Sequence, residues 1–260
     1  MSEHTTASSG PPSAERPLAR RIALAGLILA VACATLAVVS GLGYRLGLWE
    51  FRTGFDILKI AFYAAFAAAI VSLVGLIMSG GRRPSVLFMG LVGVLLAAVT
   101  AYMPWTYYTT VKSVPRIHDI TTDPTHPPAF VAVGKLRKQT DHSIEYEGSE
   151  IFSEQREAYP DIQPLIVKAP KDKVFEASRQ ALASMGLDIV DANPGEGRIE
   201  AVDTTLLYGF KDDVAVRVQE TADGTRVDIR SMSRVGKSDL GVNAKRIRTF
   251  MARLRASLPA

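Results

Sequence analysis

Three uncharged stretches at the start of the chain constrain it more than any other feature. Ile22–Tyr44 runs for 23 residues between Arg21 and Arg45, Ile60–Gly81 for 22 between Lys59 and Arg82, and Pro84–Val111 for 28. A helix rises about 1.5 Å per residue and needs about 20 apolar residues to cross about 30 Å of hydrocarbon. Each stretch is long enough. Surface helices of soluble proteins carry a polar face, and these have none. The sequence therefore predicts three transmembrane helices, over about 22–44, 57–79 and 86–106. A cleaved signal peptide is the competing reading of the first stretch, because Arg16, Arg20 and Arg21 form a basic leader. The stretch is roughly twice as long as a signal-peptide core. Its loose likeness to a lipoprotein cleavage box, Ala30-Val31-Ala32-Cys33, falls mid-run. It is read as a retained helix.

Charge is unevenly placed along the chain. Residues 1–114 hold nine Lys/Arg and four Asp/Glu, a net +5, whereas the remainder nets −1. The remainder has no positive field to attract phosphate backbones, and no nucleic-acid partner is expected. Short basic flanks instead orient the helices. Arg16, Arg20, Arg21, Arg82 and Arg83 would face one side and Arg45, Arg52, Lys112 and Arg116 the other, five against four. This bias favours a cytoplasmic N-terminus in a bacterial inner membrane, and three crossings then place the C-terminal part outside the cytoplasm. Cys33, the single cysteine, allows neither an internal disulfide nor a Cys-based metal site. Ala61/Ala65/Ala69 and Gly93/Ala97/Ala101 form rows at i, i+4, i+8, which suit close packing of an anchor. No charged residue lies deep in any span, as an ion path would need.

Residues 1–21 read as a disordered cytoplasmic tail, polar and Pro-containing over 1–17. Residues 112–164 read as an extended arm, broken by Pro115, Pro124, Pro127, Pro128, Pro160 and Pro164. Its apolar residues Ile117, Ile120, Phe130, Val131 and Val133 need burial, so the arm should lie on the domain that follows. Ile151–Ala158 could add a helical turn or two. The arm also holds His118, His126 and His142, and its stretch from His118 through Asp119 and Asp123 to His126 is the most metal-like in the chain. Their spacing matches no ligand pattern, and Asp123 before Pro124 is explained by a side-chain-capped turn. His118, Asp119 and Asp123 are weak metal candidates only; no metal or other cofactor is expected.

A globular domain over 165–260 carries clearer signals. Leu165–Lys168, Leu187–Asp191 and Arg198–Asp203 read as strands, and a helix opens at Pro170 and stops at Gly186. Val214, Val216 and Val218, then Val227 and Ile229, alternate with other residues around Asp223-Gly224, a β-hairpin with one buried face. A short strand near Leu206–Phe210 is a weaker expectation. Leu240, Ala244, Ile247, Met251, Leu254 and Leu258 make the stripe of a final amphipathic helix, with Lys245, Arg246, Arg248, Arg253 and Arg255 mostly off it. The expected fold is α+β: a three-helix transmembrane anchor followed by an extracytoplasmic antiparallel sheet covered by two helices.

Gly209-Phe210-Lys211-Asp212-Asp213-Val214 and the string from Asp228 through Arg230-Ser231-Met232-Ser233-Arg234 to Ser238-Asp239-Leu240-Gly241-Val242-Asn243-Ala244, then Arg246-Ile247, resemble the family called domain of unknown function 1499. The resemblance runs from about Arg116 to the C-terminus and implies an extracytoplasmic domain. It implies no catalytic residue, cofactor or substrate.

The same string has a physical reading. It runs from a strand into the start of the last helix, where Ser238 or Asp239 would cap free N–H groups. Arg230, Ser231, Ser233, Arg234, Lys237 and Asp239 could bind a phosphate, a carboxylate or a lipid headgroup there. The bland alternative is that Arg230 pairs with Asp212 and Asp213 across the sheet while Ser233 and Asp239 tie a loop. Adjacent Asp212 and Asp213 point to opposite strand faces and share no proton. The chain has no nucleophile elbow, P-loop, zinc-helix motif or cysteine nucleophile, so no catalytic residue is assigned. The function expected is a membrane-anchored binding or scaffold module of the cell envelope, with a membrane or envelope protein partner or an anionic ligand. A membrane-tethered enzyme or an assembly-factor subunit is the alternative.

Overall fold

A computed structural model describes residues 17–81 and 83–258 of the protein. Its three longest helices are α1 (Pro17–Arg45), α2 (Phe51–Ser79) and α3 (Pro84–Val111), each long and apolar enough to cross a membrane. All three exceed the expected spans. Residues 17–21 are helical and belong to α1, not to the tail expected over 1–21. Arg52, Asp56 and Lys59 likewise ride on α2. Helical hydrogen bonds do not stop at the edge of the hydrocarbon, and long polar side chains reach the headgroup level without breaking them. The rest of that tail, residues 1–16, and Arg82 of the orienting set lie outside the described residues.

The chain divides into two compact units. One contains the chain up to Gly41 with Trp49–Trp105; the other contains Leu42–Leu48 with everything from Thr106 onward. In the first unit the buried lines consist mostly of small residues: Ala19, Ala23, Gly26, Ala30 and Cys33 on α1; Ala61, Ala65, Ala68, Ser72 and Gly75 on α2; Val86, Gly90, Gly93, Ala97 and Thr100 on α3. The steps alternate between four and three, so the line on α2 runs through Ala68 and leaves Ala69 half-buried. A strict i+4 row drifts around a helix, whereas a 3.5-residue period keeps facing its neighbour. A Cβ added at Gly26 would come within 2.7 Å of the Ser72 Cα, and one at Gly75 within 2.6 Å of the Ala23 backbone nitrogen. The two backbones meet where a glycine of one helix faces a small residue of the other, Gly26 against Ser72 and Gly75 against Ala23.

The second unit is built on an antiparallel sheet of six strands: β1 (Asp119–Thr121), β2 (Leu165–Val167), β3 (Asp188–Asn193), β4 (Arg198–Thr204), β5 (Lys211–Thr221) and β6 (Gly224–Ser233). The order is β1-β6-β5-β4-β3, with β2 also on β6. β1 pairs with Arg230–Met232 and β2 with Thr225–Val227, so the two short strands lie end to end along one side of β6. Three helices complete the unit: α4 (Ser149–Ala158), α5 (Lys171–Ser184) and α6 (Val242–Ser257). The weaker strand expected near Leu206–Phe210 does not form. There Thr205 closes a tight loop, its N–H donating to the Phe210 carbonyl and its hydroxyl accepting from the Phe210 N–H, both at 2.9 Å.

Alternation along the strands sends two different sets of side chains to the two faces. Val214, Val216, Val218, Val227 and Ile229 join Leu182, Ile247, Phe250 and Leu254 in the main core beneath α5 and α6. The opposite face holds Val202, Ala215 and Met232, and the arm covers it with Phe130 and Val133. The arm therefore lies on the domain as expected, although Val131 is exposed. It also gives the sheet a strand. α4 locks that strand from outside: the Gln155 amide accepts from the Thr121 N–H at 3.0 Å and donates to its carbonyl at 2.8 Å, as a further strand would.

Candidate functional site

The residues singled out in Arg230–Asp239 separate by parity. Arg230 and Arg234 face the arm; Ser231 and Ser233 face α6. They do not converge on one point.

On the α6 side, Ser231 donates to Asn243 Oδ1 at 2.7 Å, and Asn243 Nδ2 donates to Ser233 Oγ at 3.1 Å and to the His118 carbonyl at 3.0 Å. Arg246 joins this set through Ser231 and pairs with Asp212 at 2.6 Å and Asp203 at 2.7 Å. Arg246 is buried, contrary to its expected place off the helix stripe. Its guanidinium reaches two carboxylates at the end of the sheet, which compensates its loss of water. The helix cap also differs from expectation. Gly241 is the cap residue, in the left-handed region at φ +78°, and Asp239 accepts from the Gly241 and Asn243 N–H groups, each at 2.8 Å. Burial, opposed by those hydrogen bonds, raises the Asp239 pKa. Lys237 is exposed in the turn before it.

On the arm side the arginines meet carboxylates rather than a free surface. Arg230 grips Asp119 with Nε at 3.0 Å and Nη2 at 2.7 Å, and its guanidinium lies 4.6 Å from the Phe130 ring centre. Its partner is thus neither Asp212 nor Asp213. Asp213 receives Arg234 at 2.7 Å and Arg137 at 2.7 Å. Asp228 and Asp123 share Arg217 and Arg226, all four contacts at 2.9–3.0 Å. Glu200 is fully buried and accepts the consecutive N–H groups of Val131, Ala132 and Val133 as well as the Arg198 guanidinium. The three N–H groups open the single 3₁₀ turn Val133–Leu136, where a negative charge is favoured.

The weak metal candidates are not brought together. Asp119 and Asp123 are held by different arginines, and Asp123 also caps a turn through the N–H groups of Thr125 and His126. Among the described residues no group of three or more His, Cys, Asp or Glu side chains could hold a metal ion. His118 instead stacks on His142, ring centres 4.0 Å apart. Burial lowers the His118 pKa, helped by His142 beside it.

Around the segment His142–Glu147, three buried polar atoms have no hydrogen-bond partner among the described residues: His118 Nε2, Arg137 Nη2 and the Tyr146 hydroxyl. Arg137 Nη1 donates to the His142 carbonyl at 2.7 Å, and Arg230 Nη2 to the Ile144 carbonyl at 2.9 Å, so both arginines hold this segment. Glu147 lies 4.0 Å from His118 Nε2, with half its side chain in solvent. Burial, with Asp119 nearby, pushes the Tyr146 pKa up to about 12, so the phenol stays protonated and able to donate. No sequence motif pointed to Arg137 or Tyr146. Only the density of arginine and histidine in the arm signalled them.

A search of curated proteins returned no match. The family described as "Protein of unknown function (DUF1499)" matches residues 119–254, from the first residue of β1 to the last turns of α6. This match covers the sheet, the arm from Asp119 onward and the clusters around β6 apart from His118, and the chain belongs to that family.

Proposed function

We propose that the protein is a membrane-anchored binding or scaffold module of the cell envelope, with its C-terminal domain outside the cytoplasm and an anionic group as ligand. The observation that carries this reading is the sharing of Asp213. One carboxylate serves both Arg137 and Arg234, which leaves a positive charge uncompensated there and Arg137 Nη2 without an acceptor. The His118 Nε2 atom and the Tyr146 hydroxyl border the same segment and likewise have no partner among the described residues. A phosphate or carboxylate oxygen satisfies such donors, and a buried donor left without one costs about 1–3 kcal/mol. A tethered enzyme using His118, Asp119 or Asp123 is less well supported, because guanidinium groups occupy both carboxylates and leave only His118, stacked on His142, as a base.

Thermal unfolding of the full chain in detergent tests the reading, with inorganic phosphate and phosphatidylglycerol titrated separately. Binding to the folded state raises the midpoint with ligand concentration. Stabilisation that Arg137→Gln and His118→Gln both abolish is the expected result. A response to phosphate alone assigns a free anion, and one to the lipid alone assigns a headgroup. No response to either, or one that survives both substitutions, removes the anion site.

A further inference from the structure

The β4–β5 connection, Thr205–Phe210, serves no part of the arm cluster, and it carries the most exposed large apolar residue of the second unit. Leu206 is 88 % accessible. The loop is nonetheless well built. Thr205 closes it through both backbone and hydroxyl, and Gly209 takes φ +67°, a conformation that favours glycine. Tyr208 and Phe210 stack with ring centres 5.1 Å apart and planes 8° from parallel. The loop thus holds Leu206 in the open on a hydrogen-bonded frame, at a position where turns favour polar residues.

What covers the leucine follows from the loop's neighbours. The last residues of α1 and the turn after it, Leu42–Leu48, pack as part of the same unit as the sheet. Tyr44 lies 5.2 Å from Phe210 and 6.4 Å from Tyr208, centre to centre, and Arg45 donates to the Leu206 carbonyl. Tyr44 and Arg45 end the first spanning helix, the position where aromatic and basic residues sit at the headgroup level. Chain connectivity gives the same placement independently. The segment leaving α3 enters the sheet at Asp119, opposite Met232, at the end where Thr204 pairs with Lys211. The β5–β6 turn and β2 occupy the other end.

We propose that the β4–β5 loop is a membrane-contact surface, with Leu206 and Leu207 entering the interfacial layer beside α1, the Tyr208 and Phe210 rings behind them, and Arg45 and exposed Lys211 meeting anionic headgroups. Apolar and aromatic residues flanked by cations are the composition that partitions into that layer. The contact fixes how far the domain stands from the bilayer. It requires neither the anion reading above nor a particular side of the membrane.

The test uses the full chain with Cys33→Ser, carrying Leu206→Cys or Ile166→Cys, each labelled with an environment-sensitive fluorophore. Ile166 is also exposed, at 50 %, and lies on β2 at the far end of the sheet. The protein is placed in nanodiscs of phosphatidylethanolamine and phosphatidylglycerol, with nitroxide-bearing lipid as one quencher and aqueous iodide as the other. The label at 206 is expected to be quenched by the lipid nitroxide and to be about threefold less sensitive to iodide than the label at 166. Equal iodide quenching at the two positions, without lipid quenching at 206, overturns the proposal. So does shielding of 206 from iodide without lipid quenching, which assigns the loop to a protein contact. Circular dichroism of both labelled chains verifies that each is folded, and Leu207→Cys gives a second reading of the same loop.

Discussion

Arg230 and Arg234 are two residues apart on one strand, yet the structure assigns them different energetic roles. Asp119 is fully buried and depends on Arg230 for its salt bridge, whereas Asp213 keeps Arg137 when Arg234 is removed. Removing one member of a buried pair costs about 3–5 kcal/mol, because the remaining charge has neither water nor partner. Arg230→Ala should therefore destabilise by about that much, and Arg234→Ala by only about 1–3 kcal/mol. Thermal unfolding of the two variants in detergent checks the order. His118 adds a pH dependence. In the unfolded chain it titrates near its ordinary value of 6.5, and in the fold burial and His142 hold it lower, with Arg137 acting the same way and Glu147 and Asp119 opposing. Its contribution to stability is complete above 6.5 and falls away as the pH drops toward the folded value. The unfolding midpoint of the wild type should drop more steeply between about pH 7 and pH 5 than that of His118→Gln. Equal slopes would show that the histidine is inert. The sequence reading singled out Arg230 and Arg234 but paired Arg230 with Asp212 and Asp213; its actual pairing with Asp119 spans 111 residues and leaves no local spacing to read.

Helices and long strands were legible because each repeats its own period. The hairpin alternation predicted β5 and β6, and the stripe from Ala244 to Leu254 predicted α6. β1 could not be read this way. It has three residues, all buried, and begins with an aspartate. A segment that short has no period, and a buried acid looks wrong until its arginine is known. Leu240 marks a related limit. It continues the α6 stripe, but takes φ +57° in the turn before the helix, where only the surrounding hydrogen bonds could have placed it. The arm behaves as part of the sheet, and its removal is testable. A chain beginning near Pro115 should unfold cooperatively. One beginning near Pro164 lacks β1, Phe130, Gln155 and the N–H groups that hold Glu200, and leaves Arg230 without Asp119. That loss is of the order of the 5–15 kcal/mol that stabilises a whole domain. Denaturant titration of both segments compares them; equal midpoints would show that the arm contributes nothing.

For the whole molecule, three helices long and apolar enough to cross a membrane precede the family domain, and three crossings would put that domain on the side opposite the N-terminus. The basic residues favour an inside N-terminus by five to four. An alkaline phosphatase joined after Ala260 should be active in a bacterial host, and a fluorescent protein that matures only in the cytoplasm should be dark there. The reverse pattern would turn the domain inward.

The end-to-end seating of β1 and β2 on β6 also bears on biosynthesis. Asp119 leaves the ribosome soon after the third spanning helix, but its arginine follows 111 residues later. Through that interval the arm has no strand to join, and its acids are solvated in open chain. Contacts this distant in sequence form slowly. A nascent chain interrupted before β6 has two orphan strands and no seat for either, and Asp119 stays without the arginine that holds it in the fold.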